Sequence, residues 1–190
     1  MVLHRFLLQV LFVVFEEPEM YVLDTNVLSQ FALKRPCPQV TAWLHETHAG
    51  LAIPFGAVIE IERGIWDISV RDPAKASELS RWLQSLLESD IPFLGMDSAV
   101  ARLFAQMTAV PALNNLWVPT LTKKRFRMGQ DLSIAATAIV HSVPIASMNV
   151  RDFLYIHRFF RLPGLLDPQQ GRWLIPPSHG DHRQPTTALP

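Results

Sequence analysis

The feature that most limits what this chain can become is an alternation. Short runs of strand formers are separated by longer segments with helical spacing. Tyr21-Val22-Leu23, Leu51-Ala52-Ile53, Pro92-Phe93-Leu94 and Val143-Pro144-Ile145-Ala146-Ser147 read as strands. Between them, Val27, Leu28, Phe31 and Ala32 recur at helical spacing, Val40 to His48 reads as a second helix, and Pro54 opens a third carrying Val58, Ile61 and Ile65. A further helix is expected from Pro73 to about Leu87, with Leu79, Trp82, Leu83, Leu86 and Leu87 as its buried stripe. Asp97 or Ser98 caps the next, through about Met107. Gln130 to His141 is helical by Leu132, Ile134, Ala135, Ala138 and Ile139, and another helical turn starts near Val150. Strands joined through helices pair in parallel, and the resulting sheet is covered on both faces.

This α/β organisation says where to look for chemistry. In open parallel sheets, sites form at the carboxyl ends of strands. Asp24 ends the first strand, and Ser147 and Asn149 end another. The stretch from Pro111 to Met128 is irregular, with two prolines, two asparagines and a basic cluster. Leu165-Leu166 reads as a last, edge strand, and after Gln169 the composition shifts to Pro, His, Gln and Thr, which predicts a loose tail over 169–190. Trp43, Trp66 and Trp82 fall in helical patterns as core or interface residues, and Met96 and Met107 read as core fillers.

Size and composition suit one domain. The chain has 190 residues, 49% of them hydrophobic, enough to bury a core without disulfides. Its one cysteine, Cys37, has no partner in the chain, so a reduced, cytoplasmic setting is expected. Lys plus Arg equals Asp plus Glu, 17 of each, so attraction to nucleic acid has to come from a local patch. Lys123-Lys124-Arg125-Phe126-Arg127 is one candidate, with Lys123, Lys124, Arg125 and Arg127 as RNA contacts, although such runs are more often solvated loops. Residues 1–19 form an apolar leader: Arg5 precedes the run Phe6 to Phe15, and Glu16-Glu17-Pro18-Glu19 follows without a small-residue cleavage site. The run is too short to span a bilayer, so no membrane association is expected. The leading expectation is that Met20 is the natural start. An export signal and an extra element packed on the domain are the alternatives.

Four acidic residues stand beside apolar runs: Asp24, Glu60 in Glu60-Ile61-Glu62-Arg63-Gly64, Asp131 at the head of an alanine-rich helix, and Asp152 in Asn149-Val150-Arg151-Asp152-Phe153. Val22-Leu23-Asp24-Thr25-Asn26-Val27-Leu28-Ser29 resembles the opening motif of PIN domains. The other three segments are similar to that family's second, third and fourth acidic motifs and occur in the same order, over about 20–168. The resemblance is to the VapC-type toxins. It implies a PIN-like, Rossmann-like three-layer α/β/α sandwich with a central, mainly parallel sheet. It also implies a Mg2+- or Mn2+-dependent endoribonuclease, the toxin of a VapBC-like pair, with a VapB-like antitoxin partner, a homodimer, and DNA contact only through the antitoxin.

On this resemblance Asp24, Glu60, Asp131 and Asp152 are the expected catalytic and metal-binding residues. Magnesium and manganese are hard ions that take oxygen ligands. Two carboxylates about 6 Å apart repel by roughly 3 kcal/mol at an effective dielectric of about 20, and a divalent ion relieves that strain. Thr25 and Asn26 are expected to cap the following helix and steady Asp24. Ser147 and Asn149 are expected to bond the attacking water, the metal shell or a phosphate oxygen. Each acid also has a plainer role open to it: Asp24 and Asp131 as helix caps, Glu62 in place of Glu60, and Asp152 paired with Arg151 or Arg158. A PIN-like binding or regulatory subunit with weak or lost activity is the competing function.

Overall fold

A computed structural model describes residues 19–47, 50–117 and 129–177. Six strands within them form one sheet in the order β3-β2-β1-β4-β5-β6. The central strand β1 (Met20–Leu23) runs parallel to β2 (Gly50–Pro54), with Val22 opposite Ala52. On its other side it runs parallel to β4 (Ile145–Ala146), with Leu23 opposite Ala146. β3 (Phe93–Leu94) extends the sheet in parallel beyond β2, and β5 (Leu165–Asp167) does so beyond β4. β6 (Arg172–Ile175) is antiparallel to β5.

The helices between the strands are α1 (Thr25–Leu28), α2 (Pro38–Glu46), α3 (Phe55–Ser69), α4 (Pro73–Leu87), α5 (Ser98–Thr108), α6 (Asn114–Trp117), α7 (Asp131–His141) and α8 (Val150–His157). The mainly parallel sheet flanked by helices is the α/β arrangement expected from the alternation. Prolines mark the starts of α2 and α4, where a missing N–H costs nothing. Asp72 and Asp97 cap α4 and α5 by accepting from the backbone N–H groups of Lys75 and Val100. The expected strand from Val143 to Ser147 shortens to two residues. Its flanks still join the ladder, because Val22 N–H donates to the Pro144 carbonyl and Ser147 N–H to that of Leu166.

The far edge differs from expectation. β5 is interior, and β6 lies in the stretch expected as a tail. The turn between them is held by Asp167, whose carboxylate accepts from the N–H groups of Gln169 and Gln170, and by Gly171 at φ 59°, a left-handed conformation that favours glycine. Met107 is fully buried, as expected of a core filler, but Met96 is 48% exposed and Trp66 69% exposed. The leader through residue 18, the basic cluster Lys123–Arg127 and the chain from residue 178 onward lie outside the described residues. Among the described residues no helix is long and apolar enough to cross a membrane.

The core gathers the strand residues Val22, Leu23, Ile53, Ile145 and Leu165 with α7 and α8. Leu132 through Ala138 are all buried, so α7 is an interior helix rather than an amphipathic one. Two close approaches fix its position. A Cβ at Gly56 would stand 2.0 Å from the Ser133 hydroxyl, so α3 reaches α7 only because residue 56 has no side chain. A Cβ at Gly129 would stand 2.1 Å from the Leu116 carbonyl, so the approach to Asp131 lies flat against α6. These contacts set the spacing between the helices that carry Glu60 and Asp131.

Candidate functional site

The strand order reverses between β1 and β4. The chain fills one side of the sheet with β2 and β3, then returns past β1 to lay down β4 and β5. Loops leaving two such neighbouring strands diverge and open a crevice at their carboxyl ends. Asp24 follows β1 and Ser147 follows β4, so both stand at that crevice. A cleft of about 960 Å³ opens there, and Asp24, Glu60, Asp131 and Asp152 all line it. Residues 128 positions apart in sequence are thereby brought together from four different elements. Glu62, the alternative to Glu60, is exposed and does not line the cleft. Asp152 makes no ion pair with Arg151 or Arg158. Arg158 instead lies over the Tyr155 ring, 5.9 Å from its centre.

Asp24 is buried and held by three donors. One carboxylate oxygen accepts from the Thr25 N–H at 2.7 Å; the other accepts from the Ser147 hydroxyl and the Asn26 amide, both at 2.6 Å. Its plainer role is therefore real, since Asp24 itself caps α1. Asn26 also accepts from the Met148 N–H at 3.0 Å, which ties the loop after β4 to the start of α1. Asn149 donates its amide to Asp152 at 2.8 Å.

Ser147 sits differently from its expected place beside water or phosphate. Its hydroxyl donates to Asp24 and accepts from the Asn149 N–H at 2.8 Å and from the Asn26 amide at 3.3 Å. One donor and two lone pairs are all a hydroxyl has, so Ser147 is saturated and fully buried. It orients Asp24. Thr25 is the reverse case: the residue belongs to the cleft lining, but its hydroxyl is shielded from solvent and has no partner among the described residues.

The electrostatics follow from burial. The Asp24 carboxyl is raised from 3.8 to about 6, chiefly by burial and further by Glu60, against the opposing hydrogen bonds of Ser147, Thr25 and Asn26. The Asp131 carboxyl is raised to about 8 by burial and then by the charges of Asp24, Asp152 and Glu60. It stands in the first turn of α7 and accepts no hydrogen bond among the described residues. Two carboxyls held this far above their ordinary range, in one cleft, mark buried acids crowded against one another.

An all-oxygen donor set of crowded carboxyls fits a hard divalent cation. Among the described residues no three His, Cys, Asp or Glu side chains stand close enough together to hold a metal ion by themselves. Magnesium keeps several waters and is bound through one or two carboxylates, so a fit here means that part of the acidic set reaches the ion through water.

The cleft also holds residues other than the four acids. Arg63 and Gly64 of the second motif line it with Asp67 and Ile68 of α3, as do Arg71 just beyond that helix, Lys34, and Lys75 and Trp82 of α4. The spacing from Glu60 at position 60 to 63, 64, 67, 68 and 71 is one helical face, a signal present in the sequence once α3 is placed. Lys75 is paired with Glu78 at 3.0 Å.

No family model matches the sequence, and no curated protein matches it. Solved structures do. The fold is similar to a chain in the structure of FitAB bound to an IR36 DNA fragment, at 25% identity over 79% of this chain and 96% of that one, with a TM-score of 0.57. It is also similar to a chain of VapBC-1 from nontypeable Haemophilus influenzae, at 18% identity over 73% and 93% of the two chains, with a TM-score of 0.51. The likeness bears out the resemblance to PIN-domain proteins of the VapC type that the four acidic motifs carry.

Proposed function

We propose that this chain is a metal-dependent endoribonuclease, the toxin of a VapBC-like toxin–antitoxin pair, acting in the cytoplasm on RNA phosphodiester bonds. The observation that carries this reading is the convergence of Asp24, Glu60, Asp131 and Asp152 on one cleft at the point where the strand order reverses. The similarity to a chain of the FitAB complex supports the toxin assignment and an antitoxin partner. A homodimer, and DNA contact made by the antitoxin alone, belong to the same reading.

The four carboxylates would hold Mg2+ or Mn2+, directly or through water. When bound, such an ion neutralises charge on a phosphate and lowers the pKa of a coordinated water. The chain's own residues do the positioning. Ser147 and Asn26 fix both the rotamer and the charge of Asp24. Asn149 fixes Asp152. The rigid seat of α7 against α3 keeps Asp131 facing Glu60 across the cleft.

The test is cleavage of a mixed RNA pool by antitoxin-free protein beginning at Met20, with Mg2+, with Mn2+ and with chelator, beside the Asp24→Asn variant. Metal-dependent cutting that vanishes in the variant supports the reading. A folded protein that cuts with neither metal would instead be a binding or regulatory subunit.

A further inference from the structure

The cations in this cleft are not used against its carboxylates. Lys34, Arg63 and Arg71 line the same cavity as five acidic residues, Asp24, Glu60, Asp67, Asp131 and Asp152, yet among the described residues none of the three cations forms an ion pair. Arg63 is three residues from Glu60 on one helix, a spacing at which opposite charges readily meet. Away from Glu60 the cleft face runs Arg63, then the exposed Asp67, then Arg71 beyond the helix, with Lys34 also in the lining. Trp82, half-buried, presents an aromatic surface in the same cavity.

Gly64 adds an independent observation. It lies in the interior of α3, where glycine weakens a helix relative to alanine. Neither packing nor backbone requires it. A Cβ there would meet nothing within 4 Å, and its φ is not in the left-handed region. Gly56, eight residues earlier, has a packing reason; Gly64 has none inside the chain. Its bare backbone leaves the cleft wall open beside Arg63, with room for a molecule from outside the chain.

We propose that the cleft-facing strip of Lys34, Arg63, Gly64 and Arg71 seats the phosphate backbone of single-stranded RNA next to the carboxylate centre, with Trp82 stacking on an unpaired base. The inference rests on the reading of the cleft as an RNA-cutting site and adds to it which residues position the strand. Cations spaced along a wall suit successive phosphates, and an aromatic face suits a base that is free of its duplex stack. The three cations are positioning residues, not catalytic ones.

The experiment separates this from hydrolysis. Binding of a short labelled single-stranded RNA is followed by fluorescence anisotropy in Mg2+ across a salt series, in the Asp24→Asn background so that the probe survives. Cleavage by the otherwise wild-type chain gives KM and kcat in parallel. Arg63→Ala, Arg71→Ala and Lys34→Ala should each flatten the slope of log affinity against log salt by about 0.7 and raise KM more than they lower kcat. Arg102→Ala, an exposed cation on α5 outside the cleft, should leave both unchanged. Gly64→Ala should raise the melting temperature while weakening RNA binding, a combination that loss of folding does not produce. Trp82→Ala should weaken binding without changing the salt slope.

Loss of binding and slope in the strip variants supports the proposal even when no RNA is cut, an outcome that would remove only the hydrolytic reading. RNA that is cut with unchanged KM and slope in all three cation variants overturns the strip and leaves the nuclease standing. Duplex RNA bound as tightly as single strands also overturns it, as does an RNA affinity that Gly64→Ala leaves untouched.

Discussion

Replacing Asp131 with asparagine should stabilise the metal-free protein, and by more as the pH rises. In the fold this carboxyl titrates near 8, against 3.8 when exposed, because it is buried and then because it faces Asp24, Asp152 and Glu60. A carboxyl whose folded value is raised contributes its full stability below about pH 4 and loses it as the pH climbs through 8. Each pH unit in that window is worth about 1.4 kcal/mol, which sets a ceiling of about 4 kcal/mol at pH 7. Solvent reaches part of the side chain, and screening reduces the measurable gain to about 1–3 kcal/mol. Asparagine keeps the shape and carries no charge at any of these values. The assay is urea denaturation in chelator at steps from pH 5 to pH 8. The wild-type midpoint should fall across the series, while that of Asp131→Asn should fall less, leaving a gap that widens with pH. Saturating Mg2+ should then shrink the gap, since the ion offsets the repulsion that the variant has already removed. A variant less stable than wild type throughout, or a gap that ignores pH, would refute the reading of Asp131 as a buried acid crowded by its neighbours.

Three other outcomes follow from single contacts. Gly56→Ala should cost about 1–3 kcal/mol by driving a methyl group into the Ser133 hydroxyl, and Ser133→Ala in the same chain should recover part of the loss, both read from denaturant midpoints. Phe153→Ala empties a fully buried position and should cost about 3–5 kcal/mol by the same measurement. Ser147→Ala removes a bond that holds the Asp24 carboxyl down, so its pKa should rise and divalent-ion affinity at neutral pH should fall about 10–100-fold, as measured by calorimetry; recovery at higher pH would distinguish this from simple misfolding.

Much of the fold was legible because its signals are local. The proline at the start of α4 and the cap at Asp97 are properties of a few adjacent residues, and α4 begins at Pro73 and ends at Leu87, as its apolar stripe predicts. The acidic set was legible for a related reason: each member follows a strand or lies in a helix at a recognisable motif, so its placement depends on topology that alternation already dictates. β6 was not legible, because Arg172–Ile175 is short and stands in a Pro- and Gln-rich stretch, and its pairing comes from the turn at Asp167 and Gly171. Met96 was misplaced for want of any periodic pattern around it; it follows a two-residue strand and points outward. The saturation of Ser147 depends on partners 121 and 123 residues away, which no local spacing encodes. The cleft face of α3, with Arg63, Gly64, Asp67 and Ile68, was encoded at helical spacing but is diluted in sequence by the residues between.

If these four carboxylates act together as one divalent-cation site, calorimetric titration of chelator-treated protein with Mn2+ and Mg2+ should give saturable binding that strengthens from pH 6 to pH 8, because protons on Asp24 and Asp131 compete with the ion. That binding should be lost in Asp24→Asn. Absence of binding by either ion at pH 8, or equal binding by Asp24→Asn, would contradict it.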